Sequence, residues 1–361
     1  MKNTENPKHN SKMVKNTRNL ISVIFLSLVS ILALSTCIGL LLSNAATKRQ
    51  ADASRSELDV LENEGYYTKA QAKQLIERAE SAARKEEGDI IRSQFREKLV
   101  EGDKLGAVRA LYPDEIVTEY GGQYFFTPIL EDIDNSSIFP DEMVLSDDGN
   151  IYYGGENSNI VLTRGIDISR SQGIIDFVKV KESGIDFVMI RVGLRGAAEG
   201  QILEDDLFKT NIRQAQKAGL DVGVYFYSQA INDKEAVEEA DFVINLLEGY
   251  EITYPVAIEL EQVNSADART AKLTMSHYTQ IAKAFCNEVE NAGYSPMIAG
   301  NIRTFSELLD IRKIKTFPVW VSYYGFPQYY PYDYYMWQYS KTGKVDGIDG
   351  EVNMNLCIFA K

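Results

Sequence analysis

Two strand-like runs in the 361-residue chain end in carboxylates whose placement suits acid–base chemistry: Gly165-Ile166-Asp167-Ile168-Ser169 and Pro255-Val256-Ala257-Ile258-Glu259-Leu260-Glu261. Side chains alternate along a strand, so Ala257, Glu259 and Glu261 share one face, and a rise of about 3.3 Å per residue separates the two glutamate Cα atoms by about 7 Å. Acids that share one face and point into a polar opening repel, which raises at least one pKa and lets a group keep its proton near neutrality. A carboxyl poised in that way is a general acid. The structural alternative is that Glu259 and Glu261 form ion pairs with Arg191 or Arg303, since such pairs imitate sites.

Other chemistries lack their parts. The histidines are His9 and His277, and Cys37, Cys286 and Cys357 have no CxxC spacing, so zinc, thiol-redox and Ser/His/Asp chemistry are disfavoured. His277 reads as a surface or packing residue. Aromatic residues cluster where strand-like runs end: Tyr225 and Tyr227, then Trp320 and Tyr323, then Trp337-Gln338-Tyr339. Sugar rings present apolar C–H faces that stack on such side chains, and paired acids flanking a glycosidic bond hydrolyse it. Each aromatic alone reads equally well as core.

The elements that must position these residues recur from about residue 160. Strand-like runs at Val161–Ser169, Phe187–Gly193, Asp221–Tyr227, Pro255–Glu261, Ser295–Asn301, Phe317–Tyr323, Tyr334–Ser340 and Ile348–Leu356 alternate with amphipathic stretches. Those at Leu207–Ala218, Asp233–Leu247 and Thr270–Ala292 are each followed closely by glycine, as helices are. Eight strands alternating with helices in about 200 residues predict an α/β fold, an irregular (β/α) TIM-like barrel whose site lies at the C-terminal strand ends. The later connections are too short for full helices, hence the irregularity. In the third helix Tyr278, Ile281, Phe285 and Val289 form one face, read as core.

The motifs themselves resemble a known family. Gly165-Ile166-Asp167-Ile168-Ser169-Arg170-Ser171-Gln172-Gly173, the run Phe187–Gly193 with Arg191, and Gly223-Val224-Tyr225-Phe226-Tyr227 are similar to the glycoside hydrolase family 25 lysozymes. So are the Pro-x-x-x-acid-x-Glu strand, Trp320-x-x-Tyr323, Trp337-Gln338-Tyr339 and Gly347-Ile348-Asp349-Gly350-x-Val352-x-x-Asn355. The resemblance covers about residues 162–358 and implies a muramidase that cleaves the β-1,4 bond between N-acetylmuramic acid and N-acetylglucosamine in bacterial peptidoglycan, without a metal or organic cofactor. It places Glu261 as the proton donor and Asp167 and Glu259 as stabilisers of the developing cation, with the substrate's 2-acetamido group as internal nucleophile. Tyr225, Tyr227, Trp320, Tyr323, Trp337, Gln338, Asn353 and Arg191 are the expected substrate-binding residues. Glu259 and Asn353 stand where the family usually has aspartate. The longer side chain and the missing charge support a second reading, a wall-binding barrel that tethers the envelope without cutting.

Composition shifts divide the rest of the chain. Acidic residues outnumber basic ones by 52 to 38, for a net charge of −14, and no long basic run follows residue 20, so nucleic-acid binding is disfavoured. Residues 1–18 form a basic tail and 19–47 an uncharged span, in which Leu20–Leu42 is apolar over about the 20 residues that cross a bilayer. Positive charge before it predicts a single-pass membrane anchor with a cytoplasmic N-terminus and the barrel outside. A cleaved signal peptide is the rival reading. Residues 48–111 are helix-forming with a thin apolar stripe, which predicts a solvated stalk, the alternative being a self-associating coiled coil. Residues 112–160 read as small β-hairpins, the first turning at Gly121-Gly122, before a barrel over 161–361.

Overall fold

The eight strand-like runs pair edge to edge and close on themselves. The computed structural model describes residues 51–57, 59–60, 69–134, 136, 142–146, 149–157 and 159–360. The expected basic tail and membrane span, 1–18 and 20–42, lie outside the described residues. Among the described residues no helix is long and apolar enough to cross a membrane.

The chain divides into two compact units, 1–125 and 126–361. In the first, a 32-residue helix spans Lys69–Val100 and a second helix spans Lys104–Leu111, where the Asp103 carboxylate accepts from the Gly106 amide. Most side chains of the long helix are exposed, as its thin apolar stripe requires. Strands β1 (Glu115–Tyr120) and β2 (Gln123–Pro128) flank Gly121 and Gly122, whose φ angles of 61° and 77° are those a two-residue hairpin turn demands.

The second unit holds the hairpin β3 (Met143–Leu145) and β4 (Ile151–Tyr153), followed by the barrel. Its staves are β5 (Ile160–Ile168), β6 (Phe187–Arg195), β8 (Asp221–Ser228), β9 (Val256–Leu260), β10 (Pro296–Asn301), β11 (Val319–Ser322), β12 (Met336–Gly343) and β13 (Val352–Ala360). The β5–β6 pairing closes the sheet, and a short β7 (Ile202–Glu204), absent from the sequence reading, adds antiparallel to β6. The barrel is not wholly parallel. β13 runs antiparallel to both β12 and β5, and it occupies 352–360 rather than the expected 348–356. The eight residues between β12 and β13 are too few for a crossover helix, so the chain must return down the sheet.

Helices Phe208–Lys217, Asp233–Leu247 and Met275–Asn291 cover the staves. Ala236, Ala240, Val243 and Leu247 are buried at helical spacing, and the Asn232 side chain accepts from the Glu235 amide to start that helix. The third helix begins five residues later than expected, because Thr274 caps it and its amide donates to His277 Nδ1 at 3.1 Å. His277 is therefore an exposed capping residue. Its face of Tyr278, Ile281, Phe285 and Val289 is buried. The segment that opens this unit packs on the barrel: the Leu130 amide donates to the Tyr332 hydroxyl at 2.8 Å, and Arg312 grips Asp132 through two bonds of 2.8 and 2.9 Å.

Candidate active site

Strand parity sets which side chains enter the barrel. A buried interior cluster contains Met189, Tyr225, Ala257, Ala299, Trp320, Met336 and Cys357. Alternation from these anchors carries Arg191, Tyr227, Glu259, Asn301, Gln338, Asn355 and Asn353 into the layer above, at the mouth formed by the C-terminal ends of the parallel staves. Because β13 runs the other way, it delivers Asn353 and Asn355 from its beginning rather than its end.

Asp167, at the end of β5, is buried and accepts three amide hydrogen bonds. Gln338 Nε2 donates to Oδ2 at 2.7 Å, Asn355 Nδ2 to Oδ2 at 2.9 Å and Asn353 Nδ2 to Oδ1 at 2.9 Å. Two of these amides are themselves oriented: Tyr324 donates its hydroxyl to Gln338 Oε1 at 2.5 Å, and Trp320 Nε1 donates to Asn355 Oδ1 at 2.9 Å. An amide whose oxygen is taken by a donor must turn its nitrogen to the carboxylate. Burial raises the Asp167 pKa above the ordinary carboxylate value, while the three amides pull it back toward the charged form.

Glu259 and Glu261 face the same mouth. Loss of water around Glu259, then the charges of Glu261 and Asp167, push its pKa up to about 8, with Arg191 acting in the opposite direction. Among the described residues the Glu259 carboxyl accepts no hydrogen bond. Glu261, one residue past the end of β9, accepts from Asn301 Nδ2 on Oε1 at 2.9 Å. Among the described residues neither glutamate forms the ion pair of the structural alternative. Arg191 gives both Nε and Nη2 to Asp205, at 3.0 and 2.8 Å, and Arg303 is taken by Glu307 and Gln262.

The aromatic residues separate into two groups. Trp337 does not reach the mouth: it follows the inward Met336, so it points outward, is 0% exposed and donates its Nε1 to the Tyr323 carbonyl at 2.7 Å. Trp320 does face inward but is only 4% exposed, set edge-on to Tyr225 at 5.8 Å as part of the barrel core. It thus supports Asn355 rather than offering a surface to a sugar. Tyr225 is likewise buried, its hydroxyl pKa driven well up by desolvation and by Asp167 and Glu259. Tyr227 and Tyr323 are half-buried, and Tyr227 is raised by desolvation and by Glu261 and Glu259. Tyr324 lies exposed beside them, its hydroxyl raised to about 12 by desolvation and by Asp167, Glu261 and Glu259.

Asn301 and Tyr324 escaped the sequence reading. Asn301 is the last polar residue of a stave, so the strand-end rule that singled out Asp167 and Glu261 applies to it too. Tyr324 lies one residue beyond the Trp320-x-x-Tyr323 motif and carries no separate signal.

Residues 166–348, half of the chain, match the family model described as Glycosyl hydrolases family 25. The chain is 28% identical over 193 residues to an autolytic lysozyme of Clostridium acetobutylicum, covering 53% of this chain and 55% of that protein. It is 27% identical over 209 residues to lysozyme M1 of Streptomyces globisporus, covering 53% and 66%. The chain thus spans between about half and two thirds of these curated relatives. The modular autolysin LytC of Streptococcus pneumoniae superposes with a TM-score of 0.51 at 22% identity, covering 68% of this chain and 58% of that one.

Proposed function

The chain belongs to glycosyl hydrolase family 25, and from that premise we propose that it is a lysozyme that hydrolyses the β-1,4 bond between N-acetylmuramic acid and N-acetylglucosamine in peptidoglycan. The observation that carries this reading is the meeting of Asp167, Glu259 and Glu261 at one barrel mouth, with neither glutamate in an ion pair with a Lys or Arg among the described residues. Glu261 protonates the glycosidic oxygen as the C1–O bond breaks. The positive charge that develops at C1 is met by Asp167, whose charged form three amides favour against the effect of burial, and the 2-acetamido oxygen closes on C1 from within the substrate. Glu259 lines the same cleft, where desolvation and the charges of Glu261 and Asp167 push its pKa up to about 8. Tyr227, Tyr323 and Tyr324 supply the half-open aromatic wall.

The apolar residues 20–42 support anchoring in the cytoplasmic membrane, with the helix Lys69–Val100 as a spacer and the barrel on the side where peptidoglycan lies. A 32-residue helix extends about 48 Å at 1.5 Å per residue, long enough to hold an enzyme away from the bilayer.

The test is release of reducing ends from purified walls by the full-length protein beside Glu261→Gln. Cleavage by the wild type and a loss of about 100-fold or more in the variant, with wall binding retained, is the expected result. Binding without cleavage by either protein would favour the tethering reading and overturn the enzymatic one.

A further inference from the structure

Glu261 sits where the sheet has ended, so its backbone has lost the ladder partners that hold residues 256–260 in place. Side chains from two other segments take up the carbonyls here. Gln229 Nε2 donates to the Glu261 carbonyl at 3.0 Å, and Gln229 is itself oriented by the Thr270 hydroxyl, which donates to its Oε1 at 2.9 Å. On the preceding residue, the Thr304 hydroxyl donates to the Leu260 carbonyl at 2.8 Å. Thr304 is fully buried and opens a π-helical turn over Thr304–Leu308. It lies so close beneath β10 that a Cβ on Gly300 would stand 2.5 Å from its methyl group. Glycine at 300 is what permits this approach.

The same threonine dictates the orientation of Asn301. Its backbone N–H donates to Asn301 Oδ1 at 3.0 Å. With the oxygen occupied by a donor, the amide nitrogen is the group left to face Glu261, and it donates to Oε1 at 2.9 Å. A flipped amide would set an N–H against the Thr304 N–H and an oxygen against the Glu261 oxygen, losing both bonds. Oε1 of Glu261 is therefore held as an acceptor, which leaves Oε2 as the oxygen able to carry a hydrogen.

We propose that Asn301 is the positioning residue that decides which oxygen of Glu261 bears the catalytic proton: its amide occupies Oε1 and reserves Oε2 for the leaving group. The inference rests on the reading of Glu261 as proton donor. In the step itself the Oε2–H bond breaks as an O–H bond forms to the departing sugar oxygen, and that oxygen keeps the electron pair of the broken C1–O bond. Glu261 is left as a carboxylate, whose new charge meets an amide already in place and needing no reorganisation. Asn301 thus acts twice, on the direction of transfer and on the stability of the product carboxylate.

Help with protonation matters most when the leaving group is a poor one. The full-length protein, Asn301→Ala and Asn301→Asp are compared on two aryl glycosides of the same glycan, one releasing phenol and one releasing 2,4-dinitrophenol, whose departure needs no proton. We expect kcat/KM for both variants to fall at least about tenfold on the phenyl glycoside and less than about threefold on the dinitrophenyl one. Asn301→Asp keeps an acceptor for the Thr304 N–H while losing the donor, so it shows the selective loss even if Asn301→Ala folds poorly. An equal fall on both substrates, or no fall on either, overturns the role given to Asn301. Failure of the wild type to cleave these substrates and purified walls alike would instead remove the hydrolase reading itself, and the inference with it.

Discussion

Asn353 stands directly opposite Asp167 across the antiparallel β13–β5 pair, and its amide donates to Asp167 Oδ1 at 2.9 Å. This is the position where the family resemblance leads one to expect a second aspartate. The asparagine replaces what would be a like-charge contact with a hydrogen bond, so the charge it removes lies beside Asp167 rather than beside Glu261.

Restoring the acid should therefore move the pH profile. In Asn353→Asp two carboxyls would meet where a donor and an acceptor meet now, and one of them would have to keep a proton. Loss of the amide donor and gain of a like charge both favour protonated Asp167. The acid limb of the kcat/KM profile on wall substrate is expected to move up by about one unit or more. An unmoved limb would show that Asp167 does not need to be ionised.

Stability should fall as pH rises through the range set by two buried acids. Glu259 is raised from 4.5 to about 8, and Glu239 from 4.5 to about 7 by burial, against opposing help from Ser228 and Arg195. A folded-state pKa above the unfolded one gives stability that is complete below about 4.5 and is lost as pH climbs through the folded value. Thermal unfolding between pH 5 and 9 should show a declining Tm. Glu259→Gln and Glu239→Gln should each flatten it, the latter in the lower part of the range, and an unchanged slope in both would contradict the burial argument.

Arg195 is expected to be a stability residue without a part in the chemistry. It is 5% exposed and gives Nε to Glu239 at 2.7 Å, Nη2 to Glu238 at 3.1 Å and Nη1 to the Gly200 carbonyl at 2.8 Å. Glu239 is fully buried; Arg195 bonds its Oε1, and among the described residues its Oε2 has no hydrogen-bond partner. Arg195→Ala leaves that acid uncompensated and should cost about 3–5 kcal/mol in urea unfolding. A variant that replaces both Arg195 and Glu239 by apolar residues should recover much of the loss.

Trp337 and Tyr227 should respond in opposite ways. Trp337→Phe removes a buried hydrogen bond and some packing, so it should lower stability by about 1–3 kcal/mol with KM nearly unchanged. Tyr227→Ala, at the half-open mouth, should raise KM severalfold with a smaller change in Tm. A large KM effect from Trp337→Phe would contradict its outward placement.

The amino-acid sequence on its own determined what short-range periodicity can carry. Alternation put Glu259 and Glu261 on one face, seven of the eight staves lie within a few residues of their expected positions, and the helix Asp233–Leu247 has the expected bounds. Alternation is a property of neighbours two residues apart, so it survives without knowledge of the rest of the chain. It does not reveal which face is inward when a stave is apolar on both, which is why Trp337 was read as lining the site while Met336 and Trp337 are both buried. Only the tertiary structure decided that the last stave runs backward, because its direction follows from the room available to a short connection. That reversal brings Asn353 and Asn355 to Asp167 across a sequence separation of 186 and 188 residues. Asn301 belongs to the same class: its type and place at a strand end are local facts, whereas its hold on Glu261 depends on the inter-strand register and on a buried threonine that turns its amide.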